Sequence, residues 1–241
     1  MSERPDPAEP ARAVGEPVER IATVLLRLAR DPVSGRVRHR SSVDVALRAA
    51  LFAELALDGR IVDRAGSPAA FPAEPSGDRK LDAVREAVEQ RPGVAWLRWF
   101  RHVSSDHDAL CKELVADGRW IRQDGWRAAY ADTEADAVLV LANEIERVVR
   151  YERAPVDTRE AVLAALAVAC GATGRWPRPS AVKQDLAQMV GSVSGKATEA
   201  TEATETVQKI ITTAATATRR TRRGGSLSHE GVMRRGGLLR R

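Results

Sequence analysis

The stretch LRAALFAELALDGRIV, residues 47–62, places Leu47, Leu51 and Leu55 four apart, in register with Val43 before them. It then stops at Asp58-Gly59 and switches to Arg60-Ile61-Val62. Apolar residues four apart share one face of a helix, so 43–57 must be a helix with a face to bury. Glycine just past the last turn takes the left-handed conformation that ends a helix. The apolar fraction of the chain is 44%, but much of it is alanine and aromatic residues make up only 4%. A core with so few rings is filled by helix against helix, and 241 residues suit one sizeable domain. The expected fold class is mainly α: a single domain of helix packed on helix with short strands and a β-hairpin.

The rest of the chain divides by composition. Residues 1–16, rich in Pro, Glu and Ala, read as a disordered arm, and 17–191 as the folded domain. Val18, Ile21, Val24, Leu25 and Leu28 predict a first helix ending near Asp31-Pro32. After the turn at Ser34-Gly35 comes a short strand with Arg36, Arg38 and Arg40 on alternate positions. Ser41 or Ser42 caps the second helix. A small strand and a loop follow Gly59. Further helices are expected over 78–90, 92–103, 105–117, 133–150, 157–171 and 179–191. Asp124-Gly125, between runs holding Trp120, Ile121, Trp126 and Tyr130, predicts a hairpin over 119–130. Residues 192–218, built on TEA triplets with Val207, Ile210 and Ile211, read as a linker or helix, and 219–241 as a disordered Arg-rich tail.

Charge is distributed unevenly. The tail holds eight arginines against Glu230, a formal +7, so a net +5 leaves the first 218 residues at −2. Such a tail suits anionic lipid or nucleic acid. The N-terminus lacks the basic and apolar regions of a secretory signal, two cysteines cannot build a disulfide framework, and no apolar run is long enough to span a bilayer. A cytoplasmic location is expected, with any membrane contact peripheral and reversible.

Catalytic patterns are weak. GSVSGKA at 191–197 is one residue short of a phosphate loop and has Ala197 where a magnesium-binding hydroxyl belongs. His107 and Cys111, four apart with His102 nearby, fall short of the four ligands of structural zinc. No enzyme, metal or cofactor is expected. Two helix–Gly–strand units, LFAELALDGRIV and LCKELVADGRWIRQDGWRAAY, are shaped like the end of a winged helix. Their presumed recognition faces carry Glu54, Asp58, Glu113 and Asp117, which repel phosphates.

Taken in order, ATVLLRLARDPVSGRV, LRAALFAELALDGRIV, PSGDRKLDAVREAVEQ, LCKELVADGRW and APVDTREAVLAALAVACGA resemble the Golgi phosphoprotein 3 family over roughly residues 18–190, in the manner of its actinobacterial members. The resemblance implies a helical bundle with a projecting hairpin. It also implies a role as a peripheral adaptor that reads phosphatidylinositol 4-phosphate and holds client proteins. The family's phosphate pocket has a Trp, an Arg at the start of the second long helix and two later Arg residues. These positions fall here on His39, Arg48, Ser104 and His107, so one of the four is kept. Arg36, Arg38 and Arg40 are candidates to replace the lost cations, and Arg101 and His102 lie close by. Asp44, one turn before Arg48, offers that arginine an ion pair instead. In the hairpin, Trp120, Ile121, Trp126 and Tyr130 are the candidates for membrane contact or self-association into a homo-oligomer. The expected function is therefore an adaptor for phosphoinositide or other anionic head groups. The alternatives are nucleic-acid association through 219–241 and protein scaffolding without a lipid.

Overall fold

The computed structural model describes residues 19–101, 106–124, 129–150, 152, 154–172 and 201–230, with the last helix described side chain by side chain over 202–220. Along the chain run α1 (Ile21–Ala29), α2 (Arg40–Leu57), β1 (Ile61–Arg64), β2 (Ser67–Ala70), α3 (Arg79–Glu89), α4 (Trp96–Arg101), α5 (Asp106–Ala116), β3 (Trp120–Gln123), β4 (Ala129–Asp132), α6 (Ala135–Val149), α7 (Thr158–Cys170) and α8 (Thr201–Glu230). The protein is mainly helical, as its sequence predicts.

The central element is α2, with α1, α7 and α8 packed around it. Its sequence suggests one apolar stripe, but the helix is buried on all sides from Val45 to Ala56, because alanines at 46, 49, 50, 53 and 56 let neighbours approach from every direction. A helix enclosed in this way has no free face to enter a nucleic-acid groove, which removes the winged-helix reading of the first unit. On one side Phe52 meets Trp96, Trp99 and Phe100 with ring centroids 5.4 to 5.7 Å away, and all four rings are buried.

The Asp-Gly-Arg punctuation works as expected, and it does so twice. After α2, Arg60 N–H reaches Leu55 O (2.8 Å) and Gly59 N–H reaches Ala56 O (3.1 Å). After α5, Arg119 and Gly118 repeat the pattern on Leu114 O (3.0 Å) and Val115 O (3.1 Å). These paired bonds are a Schellman termination, with Gly59 and Gly118 at φ +67° and +70°. Each termination aims the chain into a two-stranded antiparallel hairpin, β1–β2 or β3–β4. Asp78 caps the start of α3, its Oδ1 accepting the N–H groups of Lys80 (2.8 Å) and Leu81 (3.2 Å).

Four expectations need correction. The loop after Val62 is the first hairpin, because Ala65-Gly66, both at positive φ, makes a tight turn with alanine where asparagine or aspartate usually signals one. The strand with Arg36, Arg38 and Arg40 on one face does not form. Only an isolated bridge joins Val37 to Arg30, and Arg40 already belongs to α2. The cap of α2 is His39, left-handed at φ +47°, with its carbonyl accepting the N–H of Ser42 and Val43, and not a serine side chain. Of the linker and the helix offered for 192–218, the described part, 201–218, is a helix. From α8, Val207, Ile210, Ala214 and Ala217 are buried in the common core, and Thr206 Oγ1 accepts the N–H of Asp63 at 2.9 Å. The helical backbone continues to Glu230, into the segment expected to be unfolded. The expected helix at 179–191 lies outside the described residues, as do His102, Ser104 and Trp126.

Candidate functional site

Around Arg48, α2, α3 and α5 bring charges together. Arg48 is 9% exposed, and its Nε lies 2.7 Å from Asp106 Oδ2, close enough for an ion pair but not aligned as a hydrogen bond. The other oxygen of Asp106 faces Lys80 Nζ at 3.5 Å. Arg40 Nη2 lies 2.6 Å from Asp108 Oδ1, which also sits 3.1 Å from His107 Nδ1. The bond to His107 and the charge of Arg40 hold the Asp108 carboxyl below its ordinary range. Asp44 is pushed the other way by burial, helped by the nearby charges of Asp108 and Asp106. Three cations, Arg40, Arg48 and Lys80, thus share their space with three carboxylates, Asp44, Asp106 and Asp108.

The partner of Arg48 is therefore Asp106 on α5 and not Asp44 on its own helix. An arginine already facing a buried carboxylate gains little from a phosphate, which would also feel Asp106 and Asp108. Of the other candidates, His39 is exposed at the start of α2, Arg36 is exposed, and Arg38 is tied to Asp31. The backbone N–H of Ser34 and, after it, that pairing hold the Asp31 carboxyl far below its usual range. His107 is buried beside Cys111, whose Sγ lies 3.8 Å from each ring nitrogen. Burial pushes the Cys111 thiol up to about 12, so it stays protonated and makes a poor metal ligand. Among the described residues no group of three or more His, Cys, Asp or Glu side chains is arranged to hold a metal ion.

The hairpin residues also separate. Trp120, expected at a membrane or partner surface, is 1% exposed, stacks on Tyr130 with centroids 4.9 Å apart and donates to Asp132 Oδ2 at 2.8 Å. Asp132 in turn accepts both arms of Arg27, Nε to Oδ2 and Nη2 to Oδ1, each at 3.0 Å. Glu134 (2.8 Å) and Glu19 (3.3 Å) complete the shell of Arg27. Burial opposes the charge on Arg27, but these carboxylates outweigh it and hold the guanidinium charged. The same contacts keep Asp132 ionised below its usual range despite its burial. Tyr130 is half-buried: its N–H donates to Gly35 O at 2.8 Å and its carbonyl accepts from Arg30 Nη1 at 3.1 Å. The base of the hairpin is thus clamped to α1 and the turn after it. Of the described hairpin candidates Ile121 alone, 60% exposed, faces outward.

A second basic feature lies where α2, α4 and α8 meet. A partly open cavity of about 200 Å³ is lined by Val45, Phe100, Arg101, Ala217 and Arg220. Val45, Phe100 and Ala217 are buried, whereas Arg101 and Arg220 are exposed. Among the described residues neither arginine has a carboxylate partner, in contrast to Arg20, Arg27, Arg38, Arg40, Arg48 and Arg159. Arg101 was a marginal candidate from sequence, and Arg220 counted only as one residue of a tail. No spacing rule brings them together, since they are 119 residues apart.

Among the described residues no helix is long and apolar enough to cross a membrane. A comparison with curated proteins returns no match. The family model for Golgi phosphoprotein 3 (GPP34) matches residues 21–214, from the first residue of α1 to the buried Ala214 of α8, and the chain belongs to that family.

Proposed function

We propose that this protein is a non-enzymatic adaptor module that docks reversibly on anionic membrane surfaces, with the basic side formed by Arg101 and the end of α8 as its contact. One observation carries the reading: whereas Arg27, Arg40 and Arg48 face carboxylates, Arg101 and Arg220 are exposed at one cavity and have no carboxylate partner among the described residues. Arg219 is exposed next to them, and the helical backbone carries Arg222 and Arg223 onward. Basic residues near an anionic leaflet contribute about 1 kcal/mol each, so four or five suffice for reversible attachment. Family membership supports a lipid-facing role. The charge balance around Arg48 moves that role away from the pocket that the family resemblance implies. Protein clients and self-association are further roles of an adaptor, for which the exposed Ile121 of the hairpin is available.

The test is flotation with vesicles containing phosphatidylserine, phosphatidylinositol 4-phosphate or neutral lipid alone. Binding to both anionic vesicle types, weakening as salt is raised, is the expected result. Arg101→Ala with Arg220→Ala should lower the bound fraction at least ten-fold while Arg48→Ala does not do so in protein that remains folded. Equal flotation with neutral lipid, or tighter binding to duplex DNA at the same ionic strength, would transfer the reading to another partner.

A further inference from the structure

We infer that the cavity between α2, α4 and α8 is a binding site for one fatty carboxylate, an alkyl chain ending in a carboxylate group. This goes beyond attachment to a charged surface, because it assigns a stoichiometric ligand to a specific cavity. The described floor is apolar: Val45 from α2, Phe100 from α4 and Ala217 from α8, each buried. The two polar residues of the described lining are arginines, and they come from different helices to the same opening. A ligand that satisfies both parts has a single charged end and an uncharged chain.

The donor set also selects the head group. An ionised carboxylate offers about four lone-pair sites on two oxygens. Two guanidinium forks present paired N–H donors that match it in bidentate fashion. Among the described lining residues no hydroxyl, amide or ammonium group stands to meet the ring hydroxyls of a sugar or inositol head, so against them such a head would leave polar groups unsatisfied. Among the described residues Arg101 and Arg220 have no carboxylate partner to displace, so there the ligand's charge is not in competition with the fold.

The experiment is calorimetric titration of the full-length protein with decanoate, decanol, butyrate and decyl phosphate below their aggregation limits. Decanoate should saturate one site per chain. Decanol, which lacks the charge, and butyrate, which lacks the chain, should each bind at least ten-fold more weakly. Arg101→Gln, at an exposed position, should weaken decanoate at least ten-fold and leave decanol unchanged. Ala217→Leu fills the cavity without altering charge, so it should abolish decanoate binding while vesicle flotation persists, its fold being checked by circular dichroism. Decanoate affinity unchanged in Arg101→Gln, decanol binding as tightly as decanoate, or decyl phosphate binding more tightly than decanoate would each overturn the assignment. Loss of flotation with one-site decanoate binding retained would overturn the membrane proposal and leave this one standing.

Discussion

Arg48 and the pair Arg101–Arg220 are chemically alike and lie near the same end of the bundle, yet the fold uses them in opposite ways. Arg48 enters the α2–α5 interface and meets Asp106, while Arg101 and Arg220 remain open beside an apolar cavity. A buried guanidinium has exchanged water for a carboxylate and cannot leave it cheaply. An exposed one keeps its hydration and can exchange it for an incoming anion at little cost. Availability, more than number, decides which arginines act on a ligand, and it depends on what the neighbouring helix happens to carry. Arg27 is the extreme of the engaged class, with Asp132, Glu134 and Glu19 around it.

The contrast breaks most visibly at Arg27. Arg27→Ala strands Asp132 in the interior and should cost about 3–5 kcal/mol in urea unfolding. Arg27→Lys, which keeps the charge but not the fork, should recover only part of this. Arg48→Ala is expected to cost less, about 1–3 kcal/mol, because Lys80 still faces Asp106. If Arg48→Ala were neutral for stability yet abolished lipid binding, the division drawn between the two regions would be wrong. A Cβ on Gly35, at φ +66°, would lie 2.6 Å from Tyr130 O, so Gly35→Ala should loosen the hairpin base by about 1–3 kcal/mol, seen as faster amide exchange at Tyr130. Acid acts on the same clamp. The folded-state pKa of Asp132 is depressed below its ordinary 3.8, so the stability it provides is fully present above that value and is lost as pH falls through the lower folded value. Asp132→Asn should therefore flatten the acid limb of the stability–pH curve. The smallest effect belongs to the open class: Arg101→Ala with Arg220→Ala should change stability by no more than about 0.5 kcal/mol while reducing vesicle binding.

Local chemistry made much of the architecture legible. Leucines four apart and Asp-Gly-Arg after two helices act within a turn or two of themselves, so their outcome depends little on the rest of the chain. The errors occurred where a local pattern was overruled. Alternate arginines at 36, 38 and 40 read as a strand face, but an edge without a partner strand has nothing to pair with and α2 begins at Arg40. The TEA triplets left a linker and a helix open, and the core decided for the helix: Thr206 and the alanines 214 and 217 pack closely beside Val207 and Ile210 without being strongly hydrophobic. Trp120 looked like an interfacial ring, and burial became favourable when Asp132 supplied its N–H with an acceptor.

The sequence by itself determined helices α1 to α7, the glycine stops after α2 and α5 and a hairpin read over 119–130, since periodicity and turn chemistry are settled between residues that are neighbours along the chain, and it carried the kinship to the Golgi phosphoprotein 3 family. Only the tertiary structure decided which charges cancel. Asp106 is 58 positions from Arg48, and Arg220 is 119 from Arg101. Coulomb attraction between Arg48 and Asp106 acts only once helix packing has closed the distance and excluded the water that would screen it.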